Sequence, residues 1–179
     1  MKSRLLLFSL WFLAAVFSYA LPDPPQPLAF RIGSVRFDRP EGWTYSRPAD
    51  AILAAQLEKK IGGAPLRITF TKLASGSGGT VSANLDRWQG QFLSRDNVPQ
   101  IEASTDTALP LTLVKLAGTM KGGVPGGPPK DTPDILLLGA ILDSPEGLVA
   151  VKLVGPKKTV GLAEPVFMGL VKSAAGRRP

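Results

Sequence analysis

Neither cysteine nor histidine occurs anywhere in the 179 residues. Without cysteine no disulfide can constrain the chain, so side-chain packing must hold it together, and a lipid carried on an N-terminal cysteine is ruled out. Without histidine the commonest general base and the usual zinc, copper and haem ligand are missing. A Ser-His-Asp triad, a Cys-His pair and a His-based metal site cannot be built within the chain. We expect no metal and no cofactor. No run of four or more Lys/Arg occurs. Beyond the N-terminus no segment approaches the ~20 apolar residues that a spanning helix needs.

The N-terminus is the most informative stretch present. Lys2 and Arg4 precede an apolar stretch from Leu5 to Phe17, and Ser18-Tyr19-Ala20 follows. Charge, apolar core, then small residues is the order of a secretory signal peptide, with cleavage expected after Ala20. The competing interpretation is an uncleaved anchor; Pro22, Pro24, Pro25 and Pro27 then stop the apolar run. We divide the chain into a signal peptide over 1–20, an extended Pro-rich leader over 21–29, one domain over 30–175 and a tail over 176–179. The location implied is secreted or periplasmic, with no stable membrane insertion after cleavage. The net charge is +7, two units of it on Lys2 and Arg4. A basic exported domain favours an anionic surface or an envelope protein as partner and does not suggest nucleic acid.

Hydrophobic periodicity outlines the domain. Alternation predicts a strand over 29–37, broken by a bulge or kink at Gly33-Ser34, and a short strand around Trp43 and Tyr45. Residues 52–57 are helix-tolerant but alternate, and Gly62-Gly63 turns them into the clear strand 66–71, whose apolar face is Leu66, Ile68 and Phe70. A helix is predicted over 81–92, with Thr80 or Ser82 as cap and Leu85, Trp88 and Phe92 on one face. Asn84, Asp86, Arg87, Gln89 and Gln91 form its polar side, and 95–99 end it. Residues 101–105 read as a weak strand. Residues 111–120 read as a central strand, apolar on both faces. Four glycines and four prolines make 122–133 a loop. Strands over 135–142 and 148–154 are joined by the tight turn 144–147. A last helix is predicted over 164–174, with Val166, Phe167, Leu170 and Val171 as its stripe and Pro165 in its first turn. The fold class is α+β: a mainly antiparallel sheet of about six to seven strands packed against helices. Trp88 and Phe92 press one helix onto the sheet; Phe167 and Leu170 press the other.

Chemistry is sparsely signalled. The strand 66–71, the glycine loop ending in Gly78 and Gly79, and the helix after it have the order of a phosphate cradle, but the lysine and hydroxyl of a P-loop are absent. Lys157, Lys158 and Thr159 form the most concentrated basic spot and could hold a phosphate or carboxylate; a solvated turn accounts for them too. A hydrolase could still use two carboxylates or a Ser-Lys pair, yet the acids are scattered singly over loops. No catalytic residue stands out.

Gly42-Trp43, Asn84…Trp88…Gln91-Phe92, Gly118-Thr119, residues 138–141, Pro145-Glu146-Gly147 and residues 152–160 together resemble a group of small secreted bacterial proteins without assigned function. More distantly the chain resembles the photosystem II extrinsic protein PsbP. The resemblance spans about 37–172. It implies an antiparallel sheet between helices, used for binding rather than catalysis. No PsbP metal ligand can be carried over to a chain without histidine. The function implied is a non-catalytic extracytoplasmic binding or assembly module. The alternatives are a His-independent hydrolase and a peripheral binder of anionic lipid or glycan.

Overall fold

The computed structural model describes residues 25–49, 52–74, 79–124, 127 and 129–176. The proposed signal peptide and its cleavage point, residues 21–24 of the leader, Gly78 and residues 177–179 of the tail lie outside the described residues.

The order of elements is β1 (Ala29–Ile32), β2 (Val35–Asp38), β3 (Thr44–Ser46), β4 (Ala55–Ile61), β5 (Ala64–Ala74), α1 (Val81–Gln89), β6 (Phe92–Arg95), β7 (Gln100–Ser104), β8 (Leu111–Met120), β9 (Thr132–Ser144), β10 (Gly147–Pro156) and α2 (Lys157–Ala175). Eight strands form one sheet in the order β3-β4-β5-β10-β9-β8-β6, with β7 also paired to β8. Every pairing is antiparallel. The fold is α+β, as expected.

The centre of the sheet follows directly from composition. In β9, Ile135, Leu137 and Ile141 face one cluster, while Leu136, Leu138, Ala140 and Leu142 face the other. A strand apolar on both sides must be covered on both. On one face α2 lays Val160, Ala163, Phe167, Leu170 and Val171 against the sheet. Beside α2 the hairpin β1–β2 covers the outer strands, with Phe30 and Phe37 packed edge-on against Phe70 at 5.1 and 4.9 Å between ring centroids. On the opposite face α1 brings Trp88 over β8 and β9, and Phe92 joins it from β6. Trp88, Phe92, Phe70, Phe167 and Leu170 are all buried.

Gly139 makes this second contact fit. A β-carbon there would overlap the six-membered ring of Trp88 and stand 2.8 Å from Val114 Cγ1. The indole therefore lies directly on the backbone of β9, at the one position in its apolar run that has no side chain.

Several expectations are corrected. Gly33-Ser34 is a hairpin turn rather than a bulge: β1 and β2 pair as Phe30↔Phe37 and Ile32↔Val35. Gly33 has φ +58, which suits glycine at the first central position of a two-residue turn. Helix α1 stops at Gln89, and Phe92 begins a strand; Gly90 caps the helix, and its N–H bonds to Asp86 O. The sheet thus has eight strands, with the hairpin separate, instead of six to seven. Asn84 is not on a solvent face but 1% exposed. Its Nδ2 donates to Thr80 O at 2.9 Å, and its Oδ1 accepts from Arg87 at 2.7 Å. Strand β9 starts at Thr132, inside the expected loop, and Asp134 has φ +58 where β8 and β9 change register between Gly118 and Met120. Helix α2 begins at Lys157, seven residues early, so Pro165 sits within it. Its ring is exposed, and burial of the opposite stripe offsets the single lost backbone bond. Val166 is 37% exposed and outside that stripe.

Replacing Gly139 by alanine should lower stability by about 1–3 kcal/mol, because neither the indole ring nor Val114 can yield without moving the helix. Gly161→Ala, where an added methyl meets nothing, should instead stabilise α2 by roughly 0.5–1 kcal/mol. Urea unfolding of the two variants checks both signs; equal midpoints would contradict the packing described.

Candidate functional site

The face that carries α1 is covered over only part of its width. Reading the register across the sheet gives the row Ser46↔Gln56↔Thr69↔Lys152↔Gly139↔Val114↔Ile101. From Gly139 to Val114 the row is apolar or bare and lies under Trp88. From Thr69 outward it is polar. Neighbouring positions on the same face are Thr44, Glu58, Arg67 and Thr71, each exposed or half-buried. No helix covers this half among the described residues, in keeping with side chains that need water.

Lys152 stands at the junction. It belongs to β10, between two paired strands, in a segment that is otherwise apolar from Leu148 to Val154. Its Nζ reaches Gln91 Oε1, just beyond α1, at 3.5 Å. That is long for a hydrogen bond, and an ammonium has three protons to place. No carboxylate pairs with it among the described residues. Burial pushes the Lys152 ammonium below the ordinary lysine value of 10.5.

A groove of about 270 Å³ opens beside it, lined by Pro65, Arg67, Thr69, Val124, Lys152, Val154 and Pro156 among others. Thr69 Oγ1 donates to the Lys152 carbonyl at 3.3 Å. Arg67 is oriented by Glu58, which accepts from its Nε at 2.6 Å. The lining contains two cationic side chains and no carboxylate.

The residues singled out from sequence lie elsewhere. Lys157, Lys158 and Thr159 occupy the first turn of α2 instead of a loop. Lys157 Nζ is 3.1 Å from Asp96 Oδ2, so one of the two lysines already has an anionic partner. Lys158 is exposed and Thr159 half-buried. Gly79 precedes the cap of α1, where Thr80 Oγ1 accepts from the Ala83 N–H at 3.1 Å. Neither group lines the groove. The sequence did carry a signal for Lys152: a single charge within an apolar strand, next to a hairpin partner that is apolar from Ile135 to Leu142.

A smaller pocket of about 100 Å³ brings Glu102 and Glu164 together beneath α2. Both oxygens of Glu164 accept from Lys115 Nζ, at 2.7 and 2.8 Å. Among the described residues no three acidic side chains gather to hold a metal ion.

The chain matches no protein-family model and no curated protein. Among solved structures it is similar to the solution structure of cyanobacterial PsbP from Synechocystis, with a TM-score of 0.46 and 13% identity over 78% of this chain and 84% of that one. It is also similar to the crystal structure of a protein of unknown function from Pseudomonas aeruginosa, with a TM-score of 0.42 and 10% identity over 87% of this chain and 100% of that one. PsbP is the family whose fold the sequence resembles. Likeness of this degree carries no function to the chain.

Lys152→Met should raise stability at neutral pH. The sign follows from a folded-state value lowered below the unfolded one: the cost of burying the charge is fully present below the folded value and vanishes as pH rises to 10.5. Thermal unfolding of wild type and variant should converge towards high pH; a gap independent of pH would show that the ammonium is not desolvated.

Proposed function

We propose that the protein is a non-catalytic binding module acting outside the cytoplasm, and that it binds through the open half of its sheet at the Lys152 groove. The observation that carries this reading is Lys152 itself. A half-buried ammonium with no carboxylate among the described residues to neutralise it is costly to the isolated fold. A polar face left open around it is where an outside group would supply what the protein does not. The signal-peptide pattern supports an extracytoplasmic location. No helix among the described residues is long and apolar enough to cross a membrane.

The alternatives have less to stand on. A carboxylate hydrolase would use the pocket of Glu102 and Glu164, but Glu164 is held by Lys115, and about 100 Å³ falls short of the several hundred that small-molecule sites occupy. A Ser-Lys hydrolase finds no serine in the lining of the Lys152 groove. A peripheral anion site on α2 would rest on Lys158 alone once Lys157 is paired.

Two measurements test the proposal. Mass spectrometry of the exported product should find Leu21 as its first residue; intact chain confined to the cytosol would overturn the location. Affinity capture from an envelope fraction should recover a partner in stoichiometric amount with wild type and about tenfold less with Arg67→Glu, which changes an exposed side chain. Equal recovery by both would remove the groove from the proposal.

A further inference from the structure

The groove's lining says more than that something binds. On the sheet floor Lys152 pairs with Thr69, and Arg67 and Val154 follow two residues along their strands on the same face. Pro65 and Pro156 continue the wall, and Val124 closes over it from the loop after β8. Charge is therefore concentrated at one end, and the rest is apolar. Only cations contribute that charge. Glu58 holds Arg67 by Nε alone, and among the described residues the two terminal nitrogens of Arg67 make no hydrogen bond.

We infer that the groove takes a small amphipathic anion, a carboxylate or phosphate head on a short apolar body, with the head between Lys152 and Arg67 and the body along Val154, Val124 and the two prolines. The inference rests on the groove being the binding surface. An anionic head would give the Lys152 protons short, charge-assisted partners in place of the long contact to Gln91. Arg67, steered from its outer side by Glu58, presents its remaining donors in the fork that suits such oxygens. The size is set by the cavity: about 270 Å³ lies at the lower end for small-molecule sites, so the body is short. A neutral ligand would leave Lys152 without a counter-ion and the terminal nitrogens of Arg67 unbonded, and a bare inorganic anion would leave the apolar wall wet.

Four probes separate head from body: hexanoate, hexyl phosphate, hexanol and acetate. Titration calorimetry with amide-resolved NMR on the exported domain should find hexanoate or hexyl phosphate binding about tenfold more tightly than hexanol or acetate. The amides of Arg67, Thr69, Lys152 and Val154 should move together. Which of the two anions binds more tightly tells carboxylate from phosphate. Lys152→Met should abolish the preference for hexanoate over hexanol. As a second variant, Arg67→Gln on the exposed strand position should weaken the anions severalfold and leave hexanol unchanged. Equal binding of hexanol and hexanoate, binding of acetate alone, or shifts confined to the first turn of α2 would overturn the inference. So would no binding of any probe; a captured partner lost on Arg67→Glu would in that case leave the groove as a binding surface and remove only the ligand class.

Discussion

Everything in this fold turns on β9 being apolar on both sides. Seven of its side chains, from Ile135 to Leu142, are buried, and each Leu or Ile among them would otherwise expose surface worth about 1.5–3 kcal/mol. One strand cannot hide two faces by itself, so the chain must bring a cover to each. Helix α2 and the β1–β2 hairpin form the first cover, and α1 forms the second. The second is thin. It depends on one indole lying flat on Gly139, with Phe92 beside it. With no disulfide to share the task, these two contacts decide whether the sheet is a sandwich or an exposed slab.

Unequal covers create the groove. The hairpin and α2 together reach across the sheet from β8 to β4 and bury most of the apolar side chains on that face. Helix α1 has only nine residues and reaches β8 and β9. Beyond its edge the second face changes chemistry, from Ile141 and Leu137 to Thr69, Arg67 and Gln56. Lys152 falls on the boundary, buried enough to lose water and, among the described residues, paired with no acid. The proposed binding surface is thus a by-product of how much sheet one short helix can shelter.

Strong periodicity was legible in the sequence. Strict alternation marked β5, a doubly apolar run marked β8, and the Pro-Gly turn marked the β9–β10 hairpin. Misreadings clustered where a local signal was overruled by packing. Phe92 continued the helical spacing of Leu85 and Trp88, yet Gly90 ended the helix and β8 offered a pairing edge. Pro165 looked like a helix start because its missing N–H costs nothing there; the buried stripe from Val160 to Ala175 outweighed that loss. Asn84 looked solvent-facing by type, and only its bonds to Thr80 and Arg87 explain its burial. The candidate site was the least legible part. Lys157 and Lys158 stand out because they are adjacent, whereas Lys152 gains its character from register, which brings Thr69 and Arg67 of β5 and Gly139 of β9 to it from two other stretches of chain.

The central claim is that one face of the sheet is sheltered over most of its width and the other mainly over β8 and β9. Carbene footprinting at side-chain resolution tests it most directly. The account predicts heavy labelling of Gln56, Glu58 and Arg67 on the open half, with Leu57, Ile68 and Phe70 protected on the far face and Leu116 and Ile141 protected under α1. Heavy labelling of Leu116 and Ile141, or protection of Arg67 and Gln56 equal to theirs, would contradict it.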